Sequence, residues 1–189
     1  MPNPCARLRR NKERGRDTYM SDAVFDAIYT HGDQSVKDAM NIARATGGDV
    51  SVILSVKRSA VANGELAMGR AKTKTPVRYR LTCDDGRLNE FGCVIQEMLD
   101  RKRNATGLTL VQDANGQRVP YNTFVDRFDR ARTAAGFKPM EYQFRDIRPK
   151  VATDADDVEH AQSLLGHRHR STTERHYLRR GKLVDPAKS

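Results

Sequence analysis

The sequence predicts a mainly helical domain with one small antiparallel β-sheet, an α+β fold. Apolar residues recur at helical spacing along most of the chain, and they alternate with polar residues in one short stretch between Leu66 and Leu81. The length of 189 residues suits one domain, and a hydrophobic content of 38% provides enough apolar surface for a core. A chain that is disordered throughout is therefore excluded.

Three helices are expected in the first third of the chain. Ser21 caps the first one, whose apolar stripe consists of Val24, Phe25 and Ile28. The second follows Ser35 and ends at Gly47, with one face made of Val36, Ala39, Met40 and Ala43. A third, short helix contains Val52, Ile53 and Val56.

A change of period to two then predicts an antiparallel hairpin. Its alternating apolar positions are Leu66 and Met68 in one strand and Val77, Tyr79 and Leu81 in the other. A Lys-Thr-Lys-Thr-Pro turn separates the two strands. Because Arg78 and Arg80 occupy the intervening positions, we expect the hairpin to carry a basic face.

Helical spacing returns after the hairpin. The next two stripes contain Leu88, Phe91, Ile95, Met98 and Leu99, and then Phe124, Phe128 and Ala131, closing near Gly136. Residues 151–154 continue a helix, Asp157 caps the helix over 158–165, and Gly166 ends it. Ser171 opens an S-x-x-E capping box, which places Tyr177 one to two turns into a last helix.

The charge of the chain points to a polyanionic partner. Lys and Arg number 34 against 24 Asp and Glu, a formal net charge of +10, which favours nucleic acid over an anionic membrane surface. No apolar run approaches the roughly 18 residues that span a bilayer, and the basic N-terminus has no apolar signal-peptide segment. We therefore expect a cytoplasmic protein that does not associate with membranes.

Cysteine and histidine spacing predicts no metal site. Cys5, Cys83 and Cys93 match neither a disulfide framework nor a zinc pattern, so reduced thiols are expected. His167, His169 and His176 lie close together, but no cysteine or carboxylate stands beside them at ligand spacing. We expect neither a metal nor a cofactor.

The C-terminal third contains the most informative motifs. Residues 144–148 read F-R-D-I-R, residues 164–167 read L-L-G-H, and residues 172–177 read T-T-E-R-H-Y. This succession resembles the catalytic domain of phage integrases of the tyrosine recombinase family. Residues 43–61 also resemble the family's first arginine box, and residues 63–73 resemble its β-hairpin with a lysine. The resemblance covers nearly the full chain and implies a DNA breaking-rejoining fold.

The chemistry of phosphodiester cleavage gives these residues distinct roles. Cleavage without a metal needs a nucleophile, donors for the non-bridging oxygens and an acid for the leaving 5′ oxygen. The resemblance implies that Tyr177 attacks phosphorus to form a 3′-phosphotyrosine. Arg148 would bind two phosphate oxygens as a planar fork, and His167 would donate to the same group or help to manage protons. Arg145 stands where the family usually has histidine, and it is a donor that cannot act as a base.

Two assignments within this set stay open. The resemblance gives the general acid to a hairpin lysine; counting back from the second strand favours Lys72, and Lys74 is the alternative. Tyr177 lies ten residues after His167, one more than the family's usual spacing, which would place His176 at the nucleophile position. An extra loop residue between Arg168 and Arg170 would absorb the difference.

One position departs from the family in a way that bears on activity. The first box of these integrases reads T-G-x-R-x-x-[DE], and its first two residues here are Thr46 and Gly47. Because Leu54 and Val56 keep the apolar register of the box, Asp49 occupies the position of the first catalytic arginine. The sequence therefore places an anion where the family has a cation.

The expected consequence of Asp49 is a large loss of rate. Two unit charges about 4 Å apart interact by about 4 kcal/mol at an effective dielectric constant near 20. Loss of the arginine's attraction to phosphate therefore costs about 4 kcal/mol, and the repulsion by Asp49 adds about as much again. The sum corresponds to an upper bound of about six decades of rate. The acidic position of the box is lost too, since Val52 occupies it, and Arg44 lies on a different face. We expect severely impaired cleavage, as in a prophage remnant.

A second hypothesis is a DNA-binding remnant or regulator of recombination that has no catalytic role. A generic RNA-binding protein is disfavoured, because its aromatic stacking surface is not visible among six Phe, six Tyr and no Trp. The type IB topoisomerases share related chemistry, but the short spacing from Gly166 to Tyr177 favours an integrase.

The resemblance also predicts the organisation and partners of the chain. Residues 1–18 are expected to be a basic linker or the stub of an N-terminal DNA-binding domain, residues 19–180 the catalytic domain, and residues 181–189 a tail. The partners would be double-stranded DNA at attachment sites and further copies of the chain in a tetramer on DNA. The expected DNA contacts are Lys74, Arg78, Arg168 and Arg170. In solution we expect a monomer.

Overall fold

The computed structural model describes residues 16–69, 77–101 and 107–166. Within these residues the helices are α1 (Asp22–His31), α2 (Gln34–Thr46), α3 (Val50–Ile53), α4 (Glu90–Asp100), α5 (Tyr121–Ala134), α6 (Ile147–Asp154) and α7 (Val158–Leu165). The strands of the same residues are β1 (Val61–Ala62), β2 (Glu65–Met68) and β3 (Val77–Arg80), and 3-10 turns cover Arg58–Ala60 and Phe144–Asp146. The predicted α+β class, mainly helical with a small antiparallel sheet, is confirmed.

Local capping chemistry sets most of the helix boundaries. The Ser21 side chain accepts a hydrogen bond from the Val24 amide at the start of α1, as predicted. At α2 the cap is Asp33, which accepts from the Val36 amide at 3.0 Å, and the Ser35 hydroxyl donates to the same carboxylate at 2.6 Å. The helix thus begins one residue before Ser35, because the carboxylate is the stronger acceptor.

The sheet has the order β1-β2-β3 and both pairings are antiparallel. Leu66 pairs with Tyr79 and Met68 pairs with Val77, so the predicted antiparallel hairpin is confirmed. The sequence did not predict β1, because a strand of two residues is too short to show an alternating pattern.

The core lies where α2 meets α6, α4 and α5, and α1 packs against α5. Its largest fully buried side chains include Phe25, Ile28, Met40, Ile53, Leu66, Ile95, Leu110, Phe124 and Ile147. The predicted apolar stripe of α4 is correct from Phe91 onwards. Leu88 is 42% exposed because Asn89 caps the helix and leaves Leu88 outside it, in an isolated antiparallel bridge with Thr82. No helix within the described residues has the length and hydropathy that crossing a membrane requires.

Candidate active site

Arg148 lies at the centre of the candidate site and contacts two distant segments. It is the second residue of α6, and its side chain is half-buried. One guanidinium nitrogen, Nη1, donates to the Gly47 carbonyl, and the other, Nη2, donates to the Leu165 carbonyl at 3.2 Å. These partners lie 101 and 17 residues away in the chain. The arginine therefore joins three motif segments that are separate in sequence.

Gly47 ends α2 in a conformation that only glycine adopts without strain. Its φ of 60° lies in the left-handed region, and its amide donates to the Ala43 carbonyl at 2.7 Å. A Cβ atom at this position would lie 2.4 Å from Cδ2 of Leu165. The turn therefore packs directly against the end of α7, which keeps the Gly47 carbonyl within reach of Arg148.

Tyr79 connects the sheet to the same place. Its hydroxyl on β3 lies 3.2 Å from the Thr46 carbonyl oxygen and 3.1 Å from the Leu164 carbonyl oxygen, and it donates towards both. The sequence identified Tyr79 only as an alternating apolar residue of the hairpin. The alternation predicts which face of a strand is buried, but it does not predict where a hydroxyl group on that face will bond.

Asp49 lies two residues beyond Gly47, in the N-cap position of α3. The residue is exposed, and its side chain makes no capping hydrogen bond, although its carbonyl accepts from the Ile53 amide at 3.0 Å. The turn that supplies an acceptor to Arg148 thus also carries an exposed carboxylate.

Arg44 is engaged away from Asp49. It lies 3.7 Å from Asp22 and 3.8 Å from Asp26, both in α1, and its guanidinium lies over the Phe25 ring at 5.1 Å. These contacts hold the side chain against α1. These partners all belong to α1, whereas Asp49 lies in the N-cap position of α3.

Arg145 and the first box share a cavity of about 220 Å³. Arg145 is exposed in the 3-10 turn before α6. Val50, the residue after Asp49, lines the same cavity. The apolar floor is formed by Phe124, Phe128 and Phe144. The structure thus brings Arg145, Arg148 and the turn of the first box to one region.

The hairpin face that the sequence predicts to be basic carries acidic partners. Arg78 donates from Nε to Glu65 at 2.5 Å across the β2–β3 pair, and Arg80 pairs with Asp84 at 2.8 Å. Both arginines remain largely exposed, 67% and 70%. Such exposed surface pairs contribute little to stability.

Several predicted site residues lie outside the described residues: Lys72, Lys74, His167, Arg168, Arg170, His176 and Tyr177. The described chain reaches Gly166, whose φ of 51° ends α7 directly before His167 in sequence. β2 and β3 flank the segment with the two lysines, with Met68 paired to Val77.

Comparison with known proteins identifies the fold. Neither a protein-family model nor a curated protein matches this sequence. Among solved structures, a lambda integrase dimer bound to a COC′ core site superposes with a TM-score of 0.75 at 20% identity, covering 95% of this chain and 53% of that one. The lambda integrase catalytic core superposes with a TM-score of 0.64 at 21% identity, covering 79% of this chain and 91% of that one.

A third solved structure, XerA recombinase, superposes with a TM-score of 0.66 at 16% identity over 87% of this chain and 61% of that one. The chain spans about half the length of the lambda integrase in the DNA complex. The helices and the small sheet thus occur in an architecture shared with these proteins. The chain has the fold of the tyrosine recombinase catalytic domain.

Proposed function

We propose that this chain is a DNA-binding catalytic domain of the tyrosine recombinase type, in which Asp49 severely impairs strand cleavage. One observation carries the proposal. Arg148 binds the carbonyl of Gly47 and the carbonyl of Leu165, so the first box, the R-x-x-R segment and the L-G-H segment converge on one guanidinium group. Asp49 lies in the same turn as Gly47.

The reaction follows from the residues at and beside this site. The phenol of Tyr177 gives its proton to water as its oxygen attacks phosphorus, the bond to the 5′ oxygen breaks, and Lys72 supplies the proton that the leaving oxygen needs. Arg148 and Arg145 bind the non-bridging oxygens, where charge develops, and His167 donates to the same phosphate. The 3′-phosphotyrosine keeps the bond energy for rejoining to another 5′ hydroxyl.

Asp49 opposes this reaction electrostatically. A carboxylate beside the phosphate repels the charge that the other donors stabilise, and the attraction of the family's arginine is missing. Because Asp49 is exposed, solvent reduces this repulsion below its upper bound. Binding to DNA relies on many phosphate contacts, so it is less sensitive than cleavage to one charge.

The net charge of +10 supports duplex DNA as the partner. Two superposing structures are lambda integrase complexes, a dimer on a core site and a tetramer on a Holliday junction. We extend DNA binding, and assembly into a tetramer on DNA from a monomer in solution, to this chain as part of the proposal.

A covalent-adduct assay tests the proposal. A randomised pool of nicked suicide duplexes traps any 3′-phosphotyrosine, and a denaturing gel separates the protein-DNA adduct. The unaltered chain is compared with Asp49→Arg and with Asp49→Arg/Tyr177→Phe, and duplex binding is measured in parallel by fluorescence anisotropy.

The expected result is duplex binding by all three chains, adducts with Asp49→Arg alone, and their loss with Tyr177→Phe. Efficient adduct formation by the unaltered chain would contradict the assigned role of Asp49. Duplex binding without adducts from any chain would instead favour the DNA-binding remnant or regulator.

A further inference from the structure

Residues 16–19 precede α1 and contact both ends of α6 through Arg16 and Tyr19. Arg16 pairs with Asp146, the residue directly before α6, and the Tyr19 hydroxyl donates to Asp154, the last residue of α6, at 2.6 Å. Asp146 and Asp154 are eight residues apart, which is about 12 Å along a helix. Three residues of extended chain span about 10 Å, so the possible spacing of Arg16 and Tyr19 is close to the distance between the two aspartates.

The contact at the start of α6 is a bidentate ion pair between a partly exposed arginine and a buried aspartate. Arg16 donates from Nε to both carboxylate oxygens of Asp146, at 2.7 and 2.9 Å, and from Nη2 to Oδ2 at 2.7 Å. The Asp146 side chain is 3% exposed, and its Oδ2 also accepts from the Gln143 amide at 2.8 Å. Nη2 donates further to the Glu141 carbonyl.

The fork of Arg16 is therefore directed at the protein. Hydrogen bonding to Asp146 raises the pKa of Arg16 above its usual value, against a smaller lowering by burial. A guanidinium group with these partners would have to leave a buried carboxylate before it could contact a phosphate, and an unpaired buried carboxylate is unfavourable.

A second cluster holds the other end of α6. Lys150, whose side chain is 4% exposed, lies 2.8 Å from Asp22 at the start of α1 and also binds Asp154. Its ammonium group lies 5.8 Å from the centre of the Tyr19 ring. The segment before α1, the start of α1 and the end of α6 are thus tied together.

We propose that residues 16–19 form a strap that positions α6, and that Arg16 acts through Asp146 as a positioning residue for Arg145 and Arg148. The two arginines flank Asp146 in sequence, one residue before it and two residues after it. The strap fixes the backbone from which both project. This inference rests on the proposed function for its effect on DNA, but its structural part does not.

Hydrogen-deuterium exchange of the full chain without DNA tests the structural part. We expect Arg16→Gln to increase exchange of the α6 amides about tenfold and to leave α4 unchanged. Arg16→Lys keeps the charge but lacks the planar guanidinium group. Its α6 exchange rate should lie between those of the unaltered chain and Arg16→Gln. Arg87→Gln, a change of an exposed cation in the turn before α4, is the matched control and should leave α6 unchanged.

The pair Arg16→Gln and Asp146→Asn completes the test. Because the residues act together, the double variant should exchange no faster in α6 than Arg16→Gln alone, and its loss of duplex affinity should be less than the product of the single losses. The double variant leaves no unpaired buried charge, so it is the form to use if Arg16→Gln does not fold.

Three results would overturn the strap: unchanged α6 exchange in Arg16→Gln, an equal increase in α4 and α6, or full restoration by Arg16→Lys. If the double variant lost duplex affinity by the full product of the two single losses, Arg16 would not act through Asp146. Absence of duplex binding by the unaltered chain would contradict the proposed function, and the exchange measurements would still decide on the strap.

Discussion

The guanidinium group of Arg148 donates to the carbonyl of Gly47, 101 residues earlier in the chain. The contact attaches α6 to the turn after α2, and that turn also contains Asp49. The Arg148 side chain thus holds two segments of the fold together. In our proposal it also binds phosphate.

The structural task of Arg148 can be measured by substitution. Arg148→Ala removes the donors to the Gly47 and Leu165 carbonyls, and we expect the free energy of unfolding to fall by about 2 kcal/mol. Urea unfolding measures the change. Arg87→Ala, at a side chain that is 86% exposed, is the control and should change stability by less than about 0.5 kcal/mol. Equal effects of the two substitutions would show that the carbonyl contacts do not stabilise the fold.

Alanine should cost more stability at Gly47 than at Gly86, another glycine with a positive φ. Gly47→Ala combines a φ of 60° with a Cβ position 2.4 Å from Leu165, so we expect a loss of about 3 kcal/mol. Gly86→Ala has a φ of 81° but no neighbouring atom within 4 Å, so the strain alone should cost about 1 kcal/mol. Thermal or urea unfolding compares the two. A loss at Gly47 no greater than at Gly86 would contradict the close packing against α7.

Lys150 gives a prediction for alkaline pH. Burial lowers the pKa of Lys150, but its hydrogen bonds to Asp154 and Asp22 outweigh burial, and the pKa is raised above 10.5. The ion pairs therefore stabilise the fold below about pH 10.5, and this contribution is lost as the pH rises through the folded-state pKa. Unfolding of the wild type and of Lys150→Met at pH 8 and pH 11.5 should show a stability difference that shrinks at the higher pH. A constant difference would refute the linkage.

Glu65 is expected to compete with DNA for Arg78. Glu65→Gln removes the carboxylate that Arg78 binds across the hairpin, which frees the arginine for phosphate. Since exposed ion pairs are worth up to about 1 kcal/mol, duplex affinity should rise at most about fivefold at low salt. Anisotropy titrations measure this, with Glu97→Gln on α4 as the control for the change in net charge. Equal gains from both variants would assign the effect to overall charge.

The choice between Lys72 and Lys74 can be made chemically, in the Asp49→Arg background. A general acid matters only when the leaving oxygen needs a proton, so a 5′-bridging sulfur, which leaves as a thiolate, removes the requirement. Lys72→Ala should slow adduct formation on ordinary DNA by about 10²- to 10⁴-fold and be rescued by the sulfur substrate. Lys74→Ala is the matched control. Rescue of Lys74→Ala instead would reverse the assignment.

Local signals in the sequence predicted the fold best. Ser21, Asp157 and Gly166 cap or end helices where expected, because a capping bond involves residues within one turn. The pattern placed Leu88 in the core stripe of α4, although it precedes the Asn89 cap, since periodicity alone does not locate a helix start.

The candidate site was predictable in its residue types but not in its contacts. Motif spacing indicated Arg145, Arg148 and Asp49, and all three lie in the region where the first box meets α6. The partners of Arg148 are backbone carbonyls, which every residue has, so no sequence pattern marks them. The pairing of Arg16 with Asp146 joins residues 130 apart that belong to no shared motif.

The most direct test of the account is the single-turnover rate of adduct formation with Asp49, Asp49→Asn and Asp49→Arg on DNA with a 5′-bridging sulfur. Removing the negative charge relieves the repulsion, and adding the positive charge restores the attraction, so the rate should rise at each step, by up to about three decades. Tyr177→Phe should abolish the product in every background. Equal rates for the three residues at position 49 would contradict the claim that this position limits cleavage.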